Sequence, residues 1–271
     1  LNAKSFPNKQ EQLNYHPILS FINKSTYVPD TFDLNVNNNI ENNKKKIFYG
    51  SSFIGHEKFK DLIKKEDHTN YAVSSYGLDQ IYLSYLLTAN MHKNKKIIMG
   101  FLLEDLDRVI FSKRDYNKVK IKIVDGKITL KNIPINLKEI EKPTRDFYTI
   151  KFIKNIIFLF KNNFDHRYDT CKATTKKETF EYIINDIKKK TKIYNQELLV
   201  LLFNYPNDLI IRPSWRYEYV KEQLFKNEIS FIDTIEVLNN SLNQETKIMN
   251  FYGKDLHYNK LGFQQVINKI K

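Results

Sequence analysis

The segment Lys46-Ile-Phe-Tyr-Gly-Ser-Ser-Phe53 contains a short apolar run that ends in glycine and is followed by two serines. From His56 to Ile63 the apolar residues then recur at helical spacing. A strand followed directly by a helix is typical of α/β proteins. In such sheets the residues that bind ligands or substrates follow the carboxyl ends of the strands, so the serines occupy a position where chemistry is expected.

The same strand-then-helix pattern continues along the chain. Further strands are predicted at 70–73, 96–100, 198–203 and 230–233, and further helices at about 78–91, 149–161, 174–190, 215–226 and 260–270. This alternation predicts a three-layer α/β/α sandwich with a mostly parallel, flavodoxin-like central sheet.

Two segments depart from this alternation. Asp125-Gly126 separates alternating apolar and polar runs, which predicts a β-hairpin inserted at about 117–135. Residues 1–45 are polar, with Asn-rich and Lys-rich stretches, and are predicted to be an N-terminal arm or cap. The domain itself is then expected to span 46–271.

Composition limits the classes of function. Of the 271 residues, 41% are hydrophobic, with 17 Tyr and 19 Phe, which is enough for a sizeable core and excludes global disorder. The net charge of +13 comes from lysines spread in short runs along the chain, so no nucleic-acid partner is expected. Cys171 is the one cysteine, which excludes an intrachain disulfide, and no metal-ligand spacing is present. We expect neither a metal nor an organic cofactor.

The sequence says less about location. It has no apolar run of the length that crosses a bilayer, and it begins with Leu1. Either a leader has been removed or the sequence was cut from a longer one, which leaves room for a membrane anchor upstream. An extracytoplasmic compartment, periplasmic or in the cell envelope, is favoured.

The strand ends bring together residues suited to nucleophilic acyl transfer. Ser52 follows the first strand, and the pair Asp255-Leu-His257 precedes the last helix. A serine hydroxyl needs an imidazole to accept its proton, and the imidazole needs a carboxylate to fix its tautomer. Taken singly, a serine after a strand is more often a helix cap, and an Asp-x-His pair is more often a solvated loop. Their joint occurrence at these positions predicts a catalytic site.

Four blocks carry a resemblance to a known family. They are Phe48-Tyr-Gly-Ser-Ser-Phe-Ile-Gly55, Asn70-Tyr-Ala-Val-Ser-Ser-Tyr-Gly-Leu-Asp-Gln80, Ile97-Ile-Met-Gly-Phe-Leu-Leu-Glu-Asp105 and Asp255-Leu-His-Tyr-Asn-Lys-Leu-Gly262. Together they resemble the SGNH hydrolases, also called GDSL-like lipases and acylhydrolases. The resemblance implies Ser52 as nucleophile, with His257 as base and Asp255 as its carboxylate. It also places Ser75 at the oxyanion-hole glycine, so that the amides of Ser52 and Ser75 form the oxyanion hole.

One block departs from the family pattern in a way that matters. Glu104 stands where the family has its oxyanion-hole asparagine, and an ionised carboxylate accepts hydrogen bonds and repels an oxyanion. Three readings remain open: a hole built from the two amides alone, a shifted register, or a weakened or inactive member. A protonated Glu104 could donate, but an ion pair with Arg108 one helical turn later is the preferred interpretation.

Three residues are candidates for lining the site: Glu104, Tyr76 and Trp215. Asp233 is an alternative carboxylate for His257, although a strand-end Asp is more often a turn residue. The resemblance implies a serine esterase or O-acyltransferase that acts on an O-acyl ester, in the first place O-acetyl, of a small molecule or glycan. The alternative is a catalytically silent SGNH-like module that binds a glycan or a protein.

Overall fold

A computed structural model of the protein describes residues 13–32, 45–112, 116–136, 172–206, 215–242 and 247–270. Cys171 and the helix predicted at 149–161 lie outside these residues.

Nine strands and seven α-helices occur in the described parts. The strands are β1 (Leu13–His16), β2 (Ser20–Asn23), β3 (Lys46–Gly50), β4 (His68–Asn70), β5 (Lys96–Leu102), β6 (Lys120–Val124), β7 (Lys127–Lys131), β8 (Glu197–Phe203) and β9 (Ser230–Asp233). The helices are α1 (Glu57–Ile63), α2 (Leu78–Thr88), α3 (Leu103–Asp107), α4 (Ala173–Ile193), α5 (Trp215–Lys226), α6 (Thr234–Asn239) and α7 (Lys260–Ile270), with 3₁₀ turns at Ala89–His92, Arg108–Ile110 and Ile248–Phe251. None of these helices combines the length and hydropathy that a bilayer span requires.

The central sheet is parallel and has the strand order β4-β3-β5-β8-β9. Side chains alternate between its two faces because successive residues of a strand point in opposite directions. In β3, for example, Ile47 and Tyr49 join one core cluster, whereas Phe48 joins the other. Buried residues of α2, α4 and α5 belong to the first cluster, and those of α1, α6 and α7 belong to the second. The protein is therefore the predicted three-layer α/β/α sandwich.

The β4 strand begins earlier than the sequence predicted, at His68 instead of residue 70. Its pairing continues past Asn70, because the amides of Tyr71 and Val73 still donate to the carbonyls of Phe48 and Gly50. This extension holds the chain that leads to Ser75 beside the end of β3.

The inserted hairpin is present as predicted. β6 and β7 pair in antiparallel fashion, and Asp125 and Gly126 have φ values of 49° and 69°. Two successive positive φ angles define the tight hairpin turn that Asp-Gly favours.

The N-terminal segment differs from the irregular arm that the sequence predicted. Residues 13–23 form the hairpin β1–β2, and Leu19 is fully buried in the core cluster that contains α2. The hairpin was not predicted because some of its buried side chains are polar. Ser20 donates a hydrogen bond to the carbonyl of Asn117, and Asn23 donates to those of Asn70 and Ala72. The boundary at residue 45 stays a prediction, because 33–44 lie outside the described residues.

Two glycines determine how the chain leaves the sheet. Gly50 and Gly100 are register partners at the ends of β3 and β5. A Cβ on Gly50 would lie 2.5 Å from the Gly100 carbonyl oxygen, and a Cβ on Gly100 would lie 2.5 Å from Ile54 Cγ1. Ile54 can pack against the sheet only because both positions lack a side chain, and this packing fixes the turn that contains Ser52.

Candidate active site

Ser52 lies in a tight turn directly after β3. The turn is closed by hydrogen bonds from the Gly55 amide to the Ser51 carbonyl (2.9 Å) and from the His56 amide to the Phe53 carbonyl (3.3 Å). Ser52 Oγ is buried and forms no hydrogen bond of regular geometry among the described residues, and the Tyr205 hydroxyl is the polar group that approaches it. A buried hydroxyl usually has a partner, so this one is available to another group.

His257 is held in one tautomer by its own loop. Its Nδ1 atom lies 3.1 Å from the Asp255 carbonyl oxygen and 3.4 Å from Asp255 Oδ2. Both oxygens only accept, so Nδ1 carries the proton and Nε2 keeps its lone pair. Nε2 is buried and has no partner within the described residues. This is the arrangement that a general base requires.

Burial lowers the pKa of His257 below its usual 6.5. The neighbouring His56 lowers it further, while the charge of Asp255 opposes both effects. The imidazole is therefore mostly neutral at neutral pH, which is the form that can accept a proton.

His56 is a third member of this cluster. Its Nε2 atom lies 3.0 Å from Asp255 Oδ2, and its Nδ1 atom accepts a hydrogen bond from the Lys58 amide at the start of α1. Partial burial alone would raise the pKa of Asp255, but the hydrogen bond from His56 and the proximity of His257 outweigh it and lower that pKa. Asp255 therefore stays ionised, and the half exposure of its side chain to water favours the same state.

Aromatic contacts bring Ser52 and His257 into one neighbourhood. The ring of Phe53, next to Ser52 in the chain, lies 4.8 Å from the His257 ring between centroids. Tyr205, just after β8, lies 5.8 Å from Phe53 and 6.1 Å from His257. No hydrogen bond joins Ser52 to His257 in the described residues. In free enzymes such bonds are often long and shorten when substrate binds.

Two residues near this neighbourhood have left-handed backbone conformations that non-glycine residues rarely adopt. Leu256, between Asp255 and His257, has φ 65°, and Ser75 has φ 72°. At Leu256 the conformation turns the flanking carboxylate and imidazole towards each other. Strained backbone of this kind concentrates at functional sites. At Ser75 it agrees with the sequence prediction that a serine occupies a glycine position.

The loop that contains Ser75 is fastened by Arg108. Arg108 Nη1 donates to the Tyr76 carbonyl oxygen at 2.8 Å and to Asp105 Oδ1 at 2.5 Å. Neither the Ser52 amide nor the Ser75 amide donates to another backbone carbonyl among the described residues. Both amides are therefore available as oxyanion donors.

Glu104 forms the ion pair with Arg108 that the sequence suggested. Glu104 Oε1 lies 3.3 Å from Arg108 Nη2, and the Glu104 side chain is 38% exposed whereas that of Arg108 is 6% exposed. The charge of the carboxylate is thus partly offset by a nearly buried guanidinium that also binds Asp105, which weakens its repulsion of a nearby negative charge.

Asp105 supports the turn from inside. It is fully buried and accepts hydrogen bonds from Ser51 Oγ at 2.5 Å and from the Leu102 amide at 2.9 Å. Burial raises the pKa of Asp105 to about 6, although Arg108 and Ser51 oppose this rise. Ser51 is therefore a supporting residue, and its hydroxyl is already engaged.

Tyr76 and Asp233 have their polar groups engaged elsewhere. The Tyr76 ring is buried and its hydroxyl donates to the Phe21 carbonyl oxygen, so its backbone faces the Ser75 loop while its side chain enters the core. Asp233 accepts from Tyr217 and Lys221 and caps α6.

The Trp215 ring packs against that of Tyr219 at an interplanar angle of 57° and lies under the ammonium group of Lys177. Its contacts are therefore with α4 and α5. Its role as a site-lining residue stays a prediction.

Sequence reasoning missed His56, Tyr205 and Asn204. Burial raises the pKa of Tyr205, and the Glu104 carboxylate adds to the rise, whereas Arg108 and the Ser52 hydroxyl oppose it. Tyr205 therefore lies close both to Ser52 and to the Glu104–Arg108 pair. Asn204 is fully buried, and its side-chain amide has no partner among the described residues. A signal did exist, since Asn204 and Tyr205 directly follow a fully apolar parallel strand, where site residues are expected.

One group of side chains has the composition of a metal site. His56, Asp255 and His257 each offer an atom within 4.8 Å of the others. Two imidazoles and a carboxylate are ligands that zinc accepts. Both imidazoles, however, already donate an N–H to Asp255, His56 to the carboxylate and His257 to the carbonyl oxygen.

Comparison with known proteins concerns the fold. No protein-family model and no curated protein matches the sequence. A member of the lipolytic G-D-S-L family from Veillonella parvula is 11% identical over 83% of this chain and 95% of its own, with a TM-score of 0.41. The acetylxylan esterase Axe2 from Geobacillus stearothermophilus is 11% identical over 84% and 92%, with a TM-score of 0.48. A GDSL-like lipase from Bacteroides thetaiotaomicron is 9% identical over 85% and 88%, with a TM-score of 0.43.

Proposed function

We propose that this protein is a serine ester hydrolase, or an O-acyltransferase that uses the same acyl-enzyme, with Ser52 as nucleophile. One observation supports this above the others. Two buried polar atoms, Ser52 Oγ and His257 Nε2, lack partners in the described structure and lie in one aromatic neighbourhood, while Asp255 holds the opposite nitrogen of the imidazole.

The reaction follows from these positions. Ser52 Oγ attacks the ester carbonyl carbon while His257 Nε2 accepts its proton, and the carbonyl oxygen becomes an oxyanion held by the amides of Ser52 and Ser75. As the tetrahedral adduct collapses, His257 returns the proton to the departing alcohol. Water, or the hydroxyl of an acceptor, then attacks the acyl-enzyme with His257 again as base.

The proposed substrate is an O-acyl ester of a small molecule or a glycan, with acetyl as the acyl group. This part follows from the resemblance of the four sequence blocks to SGNH hydrolases. The ion-paired state of Glu104 supports an active centre over a silent one, because the guanidinium of Arg108 offsets the carboxylate near the oxyanion position.

Labelling with a fluorophosphonate probe tests the proposal. The wild-type protein is expected to react with the probe. Ser74→Ala should react equally, because Ser74 is an exposed serine that follows the next strand, β4. Ser52→Ala should lose both labelling and hydrolysis of p-nitrophenyl acetate. Ser51→Ala should keep labelling with reduced stability, since it removes a hydrogen bond to buried Asp105.

Two results would redirect the assignment. Labelling that survives in Ser52→Ala but disappears in Ser51→Ala would move the nucleophile by one residue. A folded wild-type protein that neither labels nor hydrolyses any ester would favour the silent glycan- or protein-binding module.

A further inference from the structure

Asp255 is shared between two histidines that lie on different elements. His257 follows it in the same loop, whereas His56 caps α1, and both rings approach the same carboxylate oxygen, Oδ2. An exposed carboxylate on a loop would otherwise rotate freely between several rotamers. The hydrogen bond to His56 fixes it against a rigid helix.

The proton positions on His56 follow from its partners. The Lys58 amide can only donate, so His56 Nδ1 must accept and carries no proton. The ring is then neutral with its proton on Nε2, and that proton is donated to Asp255 Oδ2 at 3.0 Å. Helix capping and carboxylate binding thus use opposite sides of one ring.

These proton positions argue against a metal at the same three residues. A metal bound to His56 Nε2 would leave the proton of the neutral ring on Nδ1, opposite the Lys58 amide proton. A metal bound to His257 Nδ1 would displace the hydrogen bond to the Asp255 carbonyl oxygen. The first change would set two protons against each other. The second would leave the Asp255 carbonyl oxygen without the proton that it now accepts.

We propose that His56 is a positioning residue that orients Asp255 for its contact with His257, so that α1 controls the geometry of the general base. This rests on the function proposed above for Ser52, Asp255 and His257. In this role His56 acts on the general base through the Asp255 carboxylate, and its ring also lies 5.0 Å from the His257 ring between centroids.

Two substitutions separate the two uses of the ring. His56→Asn keeps an acceptor close to the position of Nδ1, and asparagine is a favoured helix cap, but its side chain is too short to reach Asp255. His56→Gln extends further and can return an amide proton to the carboxylate. His68→Asn is a matched control, because His68 lies on β4 and its ring nitrogen contacts the Glu66 carbonyl instead.

The expected results distinguish positioning from a purely structural role. His56→Asn should keep its melting temperature and its KM but lose kcat by about tenfold, the scale of one hydrogen bond to a charged group. His56→Gln should return kcat towards the wild-type value. The control should match the wild type throughout.

A titration of the imidazoles by NMR supplies a readout that needs no turnover, and six histidines can be assigned individually. The charged and titratable groups facing His257 are Asp255 in its own loop, His56 on α1 and Tyr205 after β8, with Lys58 next to the same loop at Gly253. Asp255 raises the pKa of His257, and both His56 variants lack the direct effect of the His56 ring on that pKa. A positioning role therefore predicts a lower His257 pKa in His56→Asn than in His56→Gln, which can bind Asp255 again, and no change in His68→Asn.

Each outcome is decisive. Equal kcat and equal His257 pKa in His56→Asn and His56→Gln would overturn the proposal. Calorimetric binding of Zn²⁺ by the wild type that is lost in His56→Asn would assign the three residues to a metal and would also overturn it. If the wild type lacks esterase activity while the His257 pKa still follows His56, the coupling stands and the proposed function fails.

Discussion

Replacing Glu104 by asparagine removes the carboxylate that the sequence places in the oxyanion hole. The geometry of the ion pair limits how much stability the substitution can remove. The ion pair with Arg108 spans 3.3 Å and the Glu104 side chain is 38% exposed, so the pair contributes at most about 1 kcal/mol. Arg108 keeps its bonds to Asp105 and to the Tyr76 carbonyl. The melting temperature should therefore fall by no more than about 2–4 °C.

The effect on activity should be neutral or favourable. A carboxylate beside the developing oxyanion raises the energy of the transition state, and an amide in its place can donate a hydrogen bond. One such donor is worth about 10²–10³ in rate, which sets the upper limit of the gain. We expect kcat/KM on p-nitrophenyl acetate to stay unchanged or to rise within that limit.

A matched control makes the same change in net charge as Glu104→Asn, but far from Ser52. Glu197 pairs with Lys96 where β8 and β5 begin, whereas Ser52 follows the carboxyl end of β3. Glu197→Asn removes one carboxylate at these amino ends of the strands. Its kcat/KM should equal that of the wild type. A loss of more than about 100-fold in Glu104→Asn at a normal melting temperature, with activity kept in Glu104→Gln and destroyed in Glu104→Ala, would refute the reasoning. Glu104 would then act directly, as a protonated donor or by orienting the substrate.

Two further predictions concern the base and the turn. Only neutral His257 accepts a proton, and burial lowers its pKa, so kcat/KM measured between about pH 4 and pH 8 should rise with pH and reach half its maximum below 6.5; a rate independent of pH, or one abolished by a chelator, would contradict this base. Gly50→Ala should lower the free energy of unfolding in urea by about 1–3 kcal/mol and reduce kcat, because the new Cβ would lie 2.5 Å from the Gly100 carbonyl oxygen. Gly126→Ala, at φ 69° but in open space, should lose only about 1 kcal/mol and keep full activity; equal effects in the two variants would disprove the role of the close approach.

The sheet could be predicted because its strands are buried on both faces. β5 and β8 are nearly continuous apolar runs, and their bounds came within two residues of the prediction. The short helix α3 and the hairpin β1–β2 could not be predicted. A single helical turn shows no periodicity, and the hairpin is tied down by polar groups such as Asn23, whose partners lie about 50 residues away in the chain.

Part of the candidate site could also be predicted, from the order of its motifs. Ser52, Asp255 and His257 stand in motifs whose order made them candidates, whereas the sequence around His56 indicates only a helix cap, which His56 also is. Its second role depends on the approach of a loop from the other end of the chain. The pairing of Glu104 with Arg108 was predictable from their spacing of four residues alone, without the bounds of α3.

The contact between His56 and Asp255 joins residues 199 positions apart. Contacts between distant parts of a chain form late, since the entropy of closing the intervening loop must be overcome first. During synthesis, β3 and its serine leave the ribosome long before the loop of His257 exists. The nascent chain therefore contains Ser52 before its proposed base, and the candidate site becomes complete only when the loop of Asp255 and His257 has docked onto α1.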